Sequence, residues 1–401
     1  MILLGSIILT FYAFSMVILL VGYSKVELFK GALSNNEIAK HHNFSIIIPF
    51  RNEAKNLPFL LESLLKLNYP KEAYEVIFVD DASEDDSAAV IESFFKSSND
   101  ASAVRQVLRQ AQYDTQCTNP SIDFKIINNV RTSASPKKDA ITEAINISKY
   151  DWIITTDADC LLPENWLLSF NSFIIKNDPT MIVGSVKYHS KNSWNNNYQQ
   201  LDNFSLQTTT VGAFGWNHPI LCNGANLVYK KEEFNAVSGF LENNHIASGD
   251  DIFLLEKFRN KNPKGVQFIK SKDSIVITKT QDSWKEVVNQ RIRWASKTSK
   301  QKDFYTLLLG LIVFFTNLYV IVGWLVCMLQ IGFWRSFLAF LIIKILLDLF
   351  IIQRTSGFFR NKINIPYYLI NTLVYPIITV IVVLKSFQGN YQWKGRTFNS
   401  K

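Results

Sequence analysis

Four stretches of the 401-residue chain are almost wholly apolar, and the remainder alternates apolar and polar positions at the periods of strands and helices. The first 24 residues carry no charged side chain, and neither does Phe304 to Trp334 or Ile363 to Leu384. Each run is long enough to cross a hydrocarbon core, which takes about 20 apolar residues. Ser336 to Gln353 is a fourth run, interrupted by Lys344 and Asp348. Charges at such depth are costly and often functional, but the i, i+4 spacing lets these two pair across one helix turn, which is the simpler expectation. The N-terminal run lacks a basic lead-in and a small-x-small cleavage site before Lys25, and it is longer than a signal-peptide core. It is expected to stay as an anchor rather than be removed.

Between the apolar runs the pattern is that of an α/β domain. Phe44 to Pro49, Glu75 to Asp80, Phe124 to Asn128 and Trp152 to Thr156 are short β-branched or aromatic runs, hence strands. Helical spacing separates them over Asn56 to Leu67, Ser87 to Phe95 and Lys138 to Ser148. Strands alternating with helices predict a mostly parallel, Rossmann-like sheet covered on both faces, with ligands beyond the carboxyl ends of its strands. Lys96 to Ser121 is polar and without apolar period, a surface excursion. The expected division is an N-terminal transmembrane anchor over 1–24, a catalytic domain over 25–283, and an interfacial helix with a C-terminal membrane region over 284–401.

Charge and cysteine usage narrow the partners. The formal charge is +8, from 42 basic and 34 acidic residues. In a membrane protein this favours lipid headgroups or phosphate-bearing substrates. No basic block with interleaved aromatics appears, so no nucleic acid is expected. The four cysteines, Cys117, Cys160, Cys222 and Cys327, are scattered without a CxxC, which predicts reduced thiols and neither a zinc site nor a disulfide framework.

Acidic residues cluster where strands end. Asp157 and Asp159 stand at i and i+2 after a strand, pointing the same way. They suit a Mg²⁺ or Mn²⁺ ion that also grips a diphosphate; a solvated acidic turn is the alternative. Asp80 and Asp81 end another strand and are placed to contact a base or ribose, although residues here also suit capping of the next helix. Asp250 and Asp251 open a helix after Gly249, as caps or as a general base toward an acceptor hydroxyl. On a predicted amphipathic helix, Gln290, Arg293 and Trp294 share a face with Lys297. A guanidinium can bind phosphate there and an indole can stack on a sugar; the alternative is a helix lying on lipid headgroups.

In their order and spacing, Ile46-Ile-Ile-Pro-Phe-Arg-Asn-Glu53, Asp80-Asp81, Asp157-Ala-Asp159, Asn223-Gly-Ala-Asn226, Gly249-Asp-Asp251 and Gln290-x-x-Arg293-Trp294 resemble glycosyltransferase family 2, on the GT-A fold. The resemblance spans about Phe44 to Lys300 and is closest to the membrane branch with a QxxRW motif, that of ceramide glucosyltransferases and of hyaluronan and chitin synthases. It implies a nucleotide-sugar donor, a UDP-sugar in that branch, contacted by Asp80 or Asp81. It implies a metal and diphosphate held by Asp159 with Asp157. Asp251 matches the family's catalytic base, with Asp250 where relatives often carry Glu. Gln290, Arg293 and Trp294 would line the acceptor and pyrophosphate end. Pro136-Lys-Lys138 departs from the Gly-Lys pair that many relatives have there, and the resemblance implies a donor contact from Lys138, or from its neighbour Lys137.

The expectation is therefore an inverting, metal-dependent transfer of a sugar to a membrane-associated, lipid acceptor by a multi-pass protein whose catalytic domain is cytoplasmic. A processive polysaccharide synthase shares every motif but needs a channel for its chain. A non-catalytic sugar-nucleotide-binding scaffold would be expected to lack Asp157, Asp159 or Asp251. Basic residues flank Ile363 to Leu384 on both sides (Arg354, Arg360 and Lys362; Lys394, Arg396 and Lys401), and Pro366 and Pro376 lie within it. Basic short loops stay cytoplasmic, so this run is expected to be interfacial or re-entrant, with the tail returning to the cytoplasmic face.

Overall fold

β1 (Phe44–Phe50) shows how the sheet is built: Ile46, Ile47 and Ile48 are fully buried, so this strand is covered on both faces and reads as a continuous apolar run. The computed structural model describes residues 1–31, 41–97, 122–189, 191–244, 246, 248–298, 300–301, 303–387, 390–393 and 396–399. Of the polar excursion, 98–121 lies outside the described residues, as do Cys117, Lys394 and Lys401.

The N-terminal apolar run forms α1 (Ile2–Lys25). After β1 come α2 (Leu57–Leu65), β2 (Tyr74–Asp80), α3 (Ser87–Ser97), β3 (Asp123–Asn128), α4 (Pro136–Ile147) and β4 (Trp152–Thr155). There follow α5 (Trp166–Asn177), β5 (Met181–Gly184), β6 (Val186–Tyr188), α6 (Trp194–Phe214), β7 (Leu227–Lys230), α7 (Lys231–Ala236), α8 (Asp250–Lys261), β8 (Val266–Ile269) and β9 (Val276–Thr278). The chain ends with α9 (Trp284–Thr298), α10 (Phe304–Leu329), α11 (Trp334–Phe358), α12 (Ile365–Ser386) and a hairpin of β10 (Asn390–Trp393) and β11 (Arg396–Asn399).

These elements form two units. Glu27–Val186 with Leu221–Lys279 make one, and Met1–Val26, Lys187–Ile220 and Thr280–Lys401 make the other. The first contains a seven-stranded sheet in the order β3-β2-β1-β4-β7-β5-β8. β1 to β4 are mutually parallel, with Ile47 in register with Ile77 on one side and Thr155 on the other. β7 runs antiparallel to both its neighbours, and β8 returns parallel to β5. The sheet is mostly parallel and lies between helices, as the alternating pattern predicts. Each large aliphatic or aromatic side chain buried in its core, such as Leu60, Phe78, Phe94 or Trp166, contributes about 1.5–3 kcal/mol. The parallel strands β1, β2 and β4 finish at a common edge, so the turns after Asp80 and Thr155 adjoin there.

In the second unit α1, α10, α11 and α12 are each long and apolar enough to cross a membrane. Lys344 and Asp348 do form the expected ion pair, at 2.7 Å, and the Tyr12 hydroxyl also donates to Asp348. The run around Ile363–Leu384 has no break of the kind a re-entrant path requires: α12 is one helix of 22 residues that passes through Pro376. Pro366 is tolerated in its first turn, where the missing N–H is not needed. β10 packs beside α9.

The sequence reading runs the catalytic domain through 25–283 without interruption, whereas residues 187–220 group with the apolar helices. The cause is α6, whose polar side chains are spent inside its own unit. The Thr208 and Thr355 hydroxyls are 2.7 Å apart, and the Asn361 amide donates to Gln200 at 3.2 Å. Glycines bring α6 against α1: a Cβ at Gly212 would stand 2.5 Å from the Leu19 carbonyl oxygen, and one at Gly22 would stand 2.0 Å from that of Gly212. Gly212→Ala is therefore expected to destabilise the protein by about 1–3 kcal/mol through overpacking. Gly310→Ala, whose Cβ meets nothing within 4 Å, is the control. Thermal unfolding in detergent checks this, and a Tm for Gly212→Ala at or above that of Gly310→Ala would remove the close-contact account.

Candidate active site

At the carboxyl edge of the sheet, two turns lock together. The turn after β1 has Asn52 at φ +54° and the turn after β2 has Ala82 at φ +56°. The Asn52 side chain accepts from the Glu84 amide at 2.8 Å, and the Ser83 hydroxyl accepts from the Asn52 amide at 3.1 Å. Arg51 spans both turns, donating to the Asp81 carbonyl at 2.8 Å and pairing with Glu84 at 2.7 Å. Asp80 accepts from the amide and hydroxyl of Ser83, at 2.8 and 2.6 Å, so it does serve as a turn cap. Asp81 is held by Asn129 at 2.8 Å and by the Arg131 guanidinium at 2.7 Å. Arg131 lies three residues beyond the end of β3 and was not singled out from sequence.

A second group gathers after β4. Asp157 and Asp159 are half-buried and flank the buried Ala158 in a turn beyond the strand, where the Cys160 amide donates to the Asp157 carbonyl at 3.1 Å. Lys137, at the start of α4, meets Asp157 at 2.6 Å and Asp250 at 3.3 Å. Asp250 and Asp251 open α8 after Gly249, which takes φ +87°. Asp251 accepts from the Ile252 amide at 2.8 Å and reaches the Gly224 amide at 3.4 Å. Gly224 belongs to the turn before β7, fixed by two asparagines. Asn223 accepts from the Ala225 amide at 3.0 Å, and the fully buried Asn226 bonds Ser185, Ser274 and Trp166. A Cβ on Gly224 would lie 3.0 Å from Asp250 and 3.5 Å from Lys137, so only glycine leaves this contact undisturbed.

Electrostatics tie the group together. Burial opposes the charge on Lys137, but Asp157, Asp250 and Asp251 outweigh it and hold the ammonium well above its ordinary range. Burial, then Asp159 and Asp157, push the Cys160 thiol up, which keeps it protonated and inert. Burial, then Asp250, push the Tyr229 hydroxyl up. Among the described residues Cys160, Cys222 and Cys327 form no disulfide.

Lys138 is a correction. Its side chain is 1% exposed, and its ammonium donates to the carbonyls of Asn243 and Ile246 at 2.6 and 2.9 Å. It pins the loop before α8, and the lysine that meets the carboxylates is Lys137. The two are adjacent at a helix start, and only the tertiary position of Asn243 and Ile246 separates their roles.

Gln290, Arg293 and Trp294 lie on α9 in the other unit, each half-buried. Arg291, which the facial pattern passed over, organises that stretch. It is buried, pairs with Asp202 at 2.6 Å, donates to Gln290 at 3.0 Å and stacks 4.2 Å from the Trp294 ring centre. Burial opposes its charge, but Asp202 prevails and holds the guanidinium above its ordinary range. Lys297, expected among lipid headgroups in the alternative reading of this helix, is 5% exposed within its unit.

Does the carboxylate group suit a metal? Among the described residues no three His, Cys, Asp or Glu side chains converge as a ready cage. Mg²⁺, however, takes only one or two carboxylates and fills its shell with water and phosphate oxygens. Lys137 is already engaged by Asp157 and Asp250, so an approaching diphosphate brings further negative charge that an added cation offsets. The donor set fits a metal shared with phosphate.

A mostly parallel sheet with helices on both faces, a DxD pair at the end of β4 and a Gly-Asp-Asp helix start define a glycosyltransferase on the GT-A fold. The chain belongs to glycosyl transferase family group 2, whose sequence model matches residues 152–378, and the model for glycosyl transferase family 2 matches residues 45–234. It is similar to the poly(ribitol-phosphate) beta-glucosyltransferase of Bacillus spizizenii, with 28% identity over 143 residues, 36% of this chain and 19% of that enzyme. It is also similar to the poly(ribitol-phosphate) beta-N-acetylglucosaminyltransferase TarS of Staphylococcus aureus, with 41% identity over 51 residues, 13% of this chain and 9% of that one. The chain thus matches under a fifth of the length of either relative. Among solved structures, the mannosyltransferase PcManGT of Pyrobaculum calidifontis, in complex with GDP-Man and Mn²⁺, superposes with a TM-score of 0.53 over 96% of this chain and 99% of that one, at 18% identity. That likeness is one of fold.

Proposed function

We propose that the chain transfers a sugar from a nucleotide-activated donor to a hydroxyl of a membrane-associated lipid, by a single inverting displacement. The observation that carries this is the group of Asp157, Asp250 and Asp251 about Lys137 and Gly224, at the sheet edge where GT-A donors bind, in a chain with four helices apolar enough to span a membrane. The GDP-Man and Mn²⁺ of PcManGT support a nucleotide-sugar and a divalent cation here.

In this reading Asp80 or Asp81 contacts the nucleotide, and Asp159 with Asp157 holds the cation. Bound there, Mg²⁺ or Mn²⁺ would offset charge on the departing nucleoside diphosphate. Asp251 takes the acceptor proton. Asp250 is the poorer base, because Lys137 stands 3.3 Å from it and an adjacent ammonium favours the ionised carboxylate. Asp251 instead holds the Gly224 amide at a looser 3.4 Å. No carboxylate nucleophile is needed for one displacement, in contrast to a retaining glycosidase. Gln290, Arg293 and Trp294 serve the acceptor and pyrophosphate end, with Arg291 setting their conformation through Gln290 and Trp294.

The catalytic unit faces the cytoplasm, where sugar nucleotides are, and the membrane part is multi-pass. The packing of β10 beside α9 supports a tail on the same side as α9. Two of the three helices after α9 then cross the bilayer, and α12, flanked by basic residues, lies along the interface.

The relatives act, by their names, on poly(ribitol-phosphate), so the acceptor is the point to test. Purified protein given a panel of UDP- and GDP-sugars with a membrane lipid extract is expected to yield a glycolipid carrying one or a few sugars, sized by mass spectrometry. A water-soluble polymer of many sugars as the product would overturn the lipid assignment in favour of a processive synthase.

A further inference from the structure

In the unit that contains the apolar helices, α1, α6, α10, α11 and α12 enclose part of a cavity of about 110 Å³. We infer that this cavity binds the uncharged, hydroxyl-bearing head of a membrane lipid. Two side chains in its wall carry the argument. Asn317 is 1% exposed; its amide nitrogen donates to the Val313 carbonyl at 2.8 Å, while its Oδ1 has no partner. Asn371 is 5% exposed; its Oδ1 accepts from the Trp194 indole at 2.9 Å, while its Nδ2 has no partner. Those anchored ends fix which way each amide points, so the residues lining the cavity include one orphan acceptor and one orphan donor. Leaving such groups buried and unpaired is costly, and a hydroxyl group both donates and accepts.

Charge decides the class of ligand. The ionised groups in the wall are already matched, Lys344 with Asp348 at 2.7 Å and Asp202 with Arg291 at 2.6 Å. No surplus cation is offered to a phosphate, so an anionic head is disfavoured and a neutral one suits. The volume holds about three or four waters at roughly 30 Å³ each, the size of a glyceryl head. Leu309, Val313 and Ile351 complete an aliphatic wall along which an acyl chain can leave between α10 and α11, both long and apolar enough to cross a membrane. The inference concerns binding and stands apart from whether the bound lipid is the sugar acceptor.

Native mass spectrometry of the full chain, released from detergent micelles containing either diacylglycerol or phosphatidic acid of matched acyl chains, tests it. Diacylglycerol is expected to be retained in preference to phosphatidic acid. Asn317→Leu and Asn317→Ser, which leave the Trp194–Asn371 bond intact, are both expected to lower that retention, the leucine variant by about tenfold, the worth of one hydrogen bond to a buried group. Thermal unfolding of each variant at or above the parent temperature is expected, since the leucine removes an unpaired polar atom and the serine shortens it. Equal retention of the two lipids, retention unchanged in both variants, or no retention of diacylglycerol, as in a cavity filled with water, would each overturn the inference.

Discussion

Asp251→Asn is expected to lower turnover about 10²–10⁴-fold, the usual worth of a positioned general base, with donor affinity nearly unchanged. The substitution keeps the shape of the side chain, so the helix start is preserved: an amide oxygen can still accept from the Ile252 amide, now 2.8 Å from the carboxylate. What is lost is the capacity to take a proton from the acceptor hydroxyl. Asp250→Asn removes an ion-pair partner of Lys137 rather than the base, so its effect on turnover is expected to be smaller and to come with weaker donor binding. Steady-state turnover and nucleotide titration on the two variants separate these roles. A dead Asp250→Asn beside an active Asp251→Asn would show that the base is the neighbouring residue.

Removal of divalent metal is expected to abolish transfer. Lys137 is already engaged by Asp157 and Asp250, and a nucleoside diphosphate adds further negative charge at the same place. Without a second cation the donor is repelled in the ground state and the leaving group is unstabilised in the transition state, so both binding and turnover fall. Treatment with EDTA followed by Mn²⁺ or Mg²⁺ restores activity in this account. Titration of Mn²⁺ is expected to show much tighter binding when nucleoside diphosphate is present, because phosphate oxygens complete the coordination shell. Full activity in EDTA on protein shown to be free of metal would end the metal assignment.

β1 and β2 were legible because a parallel sheet buried on both faces leaves runs such as Ile46-Ile-Ile and Val76-Ile-Phe-Val without polar breaks, and the acidic residues after β2 mark the carboxyl edge, whereas the shorter β5 to β9 went unread. The four apolar helices were legible for the same reason, since hydrocarbon length is written directly in composition. Two further things were not. Lys137 and Lys138 differ by one position at a helix start, and a loop more than 100 residues away captures the second of them. α6 is filled with Asn, Gln and Thr, so no apolar stripe announces it, yet Asn196, Gln199, Asp202 and Thr208 are buried because each finds a hydrogen-bond or ion-pair partner. Burial by apolar area leaves a periodic trace in sequence, and burial by polar matching does not.

The near-contact of Gly22 with Gly212 and Gly215 makes α1 more than an interchangeable tether. An anchor that merely holds an enzyme at a membrane can be replaced by any apolar helix of similar length. Here the backbones of α1 and α6 touch, the Trp216 indole donates to the Ile18 carbonyl at 2.9 Å, and the Lys25 ammonium sits 3.1 Å above the Trp216 ring centre. A foreign span with leucine at these positions would be held away from α6 by the width of its side chains, leaving a groove along a helix rich in polar groups. Portability of the catalytic unit, whether by swapping the anchor or by trimming it for expression in water, therefore depends on carrying the α1–α6 pair as one piece.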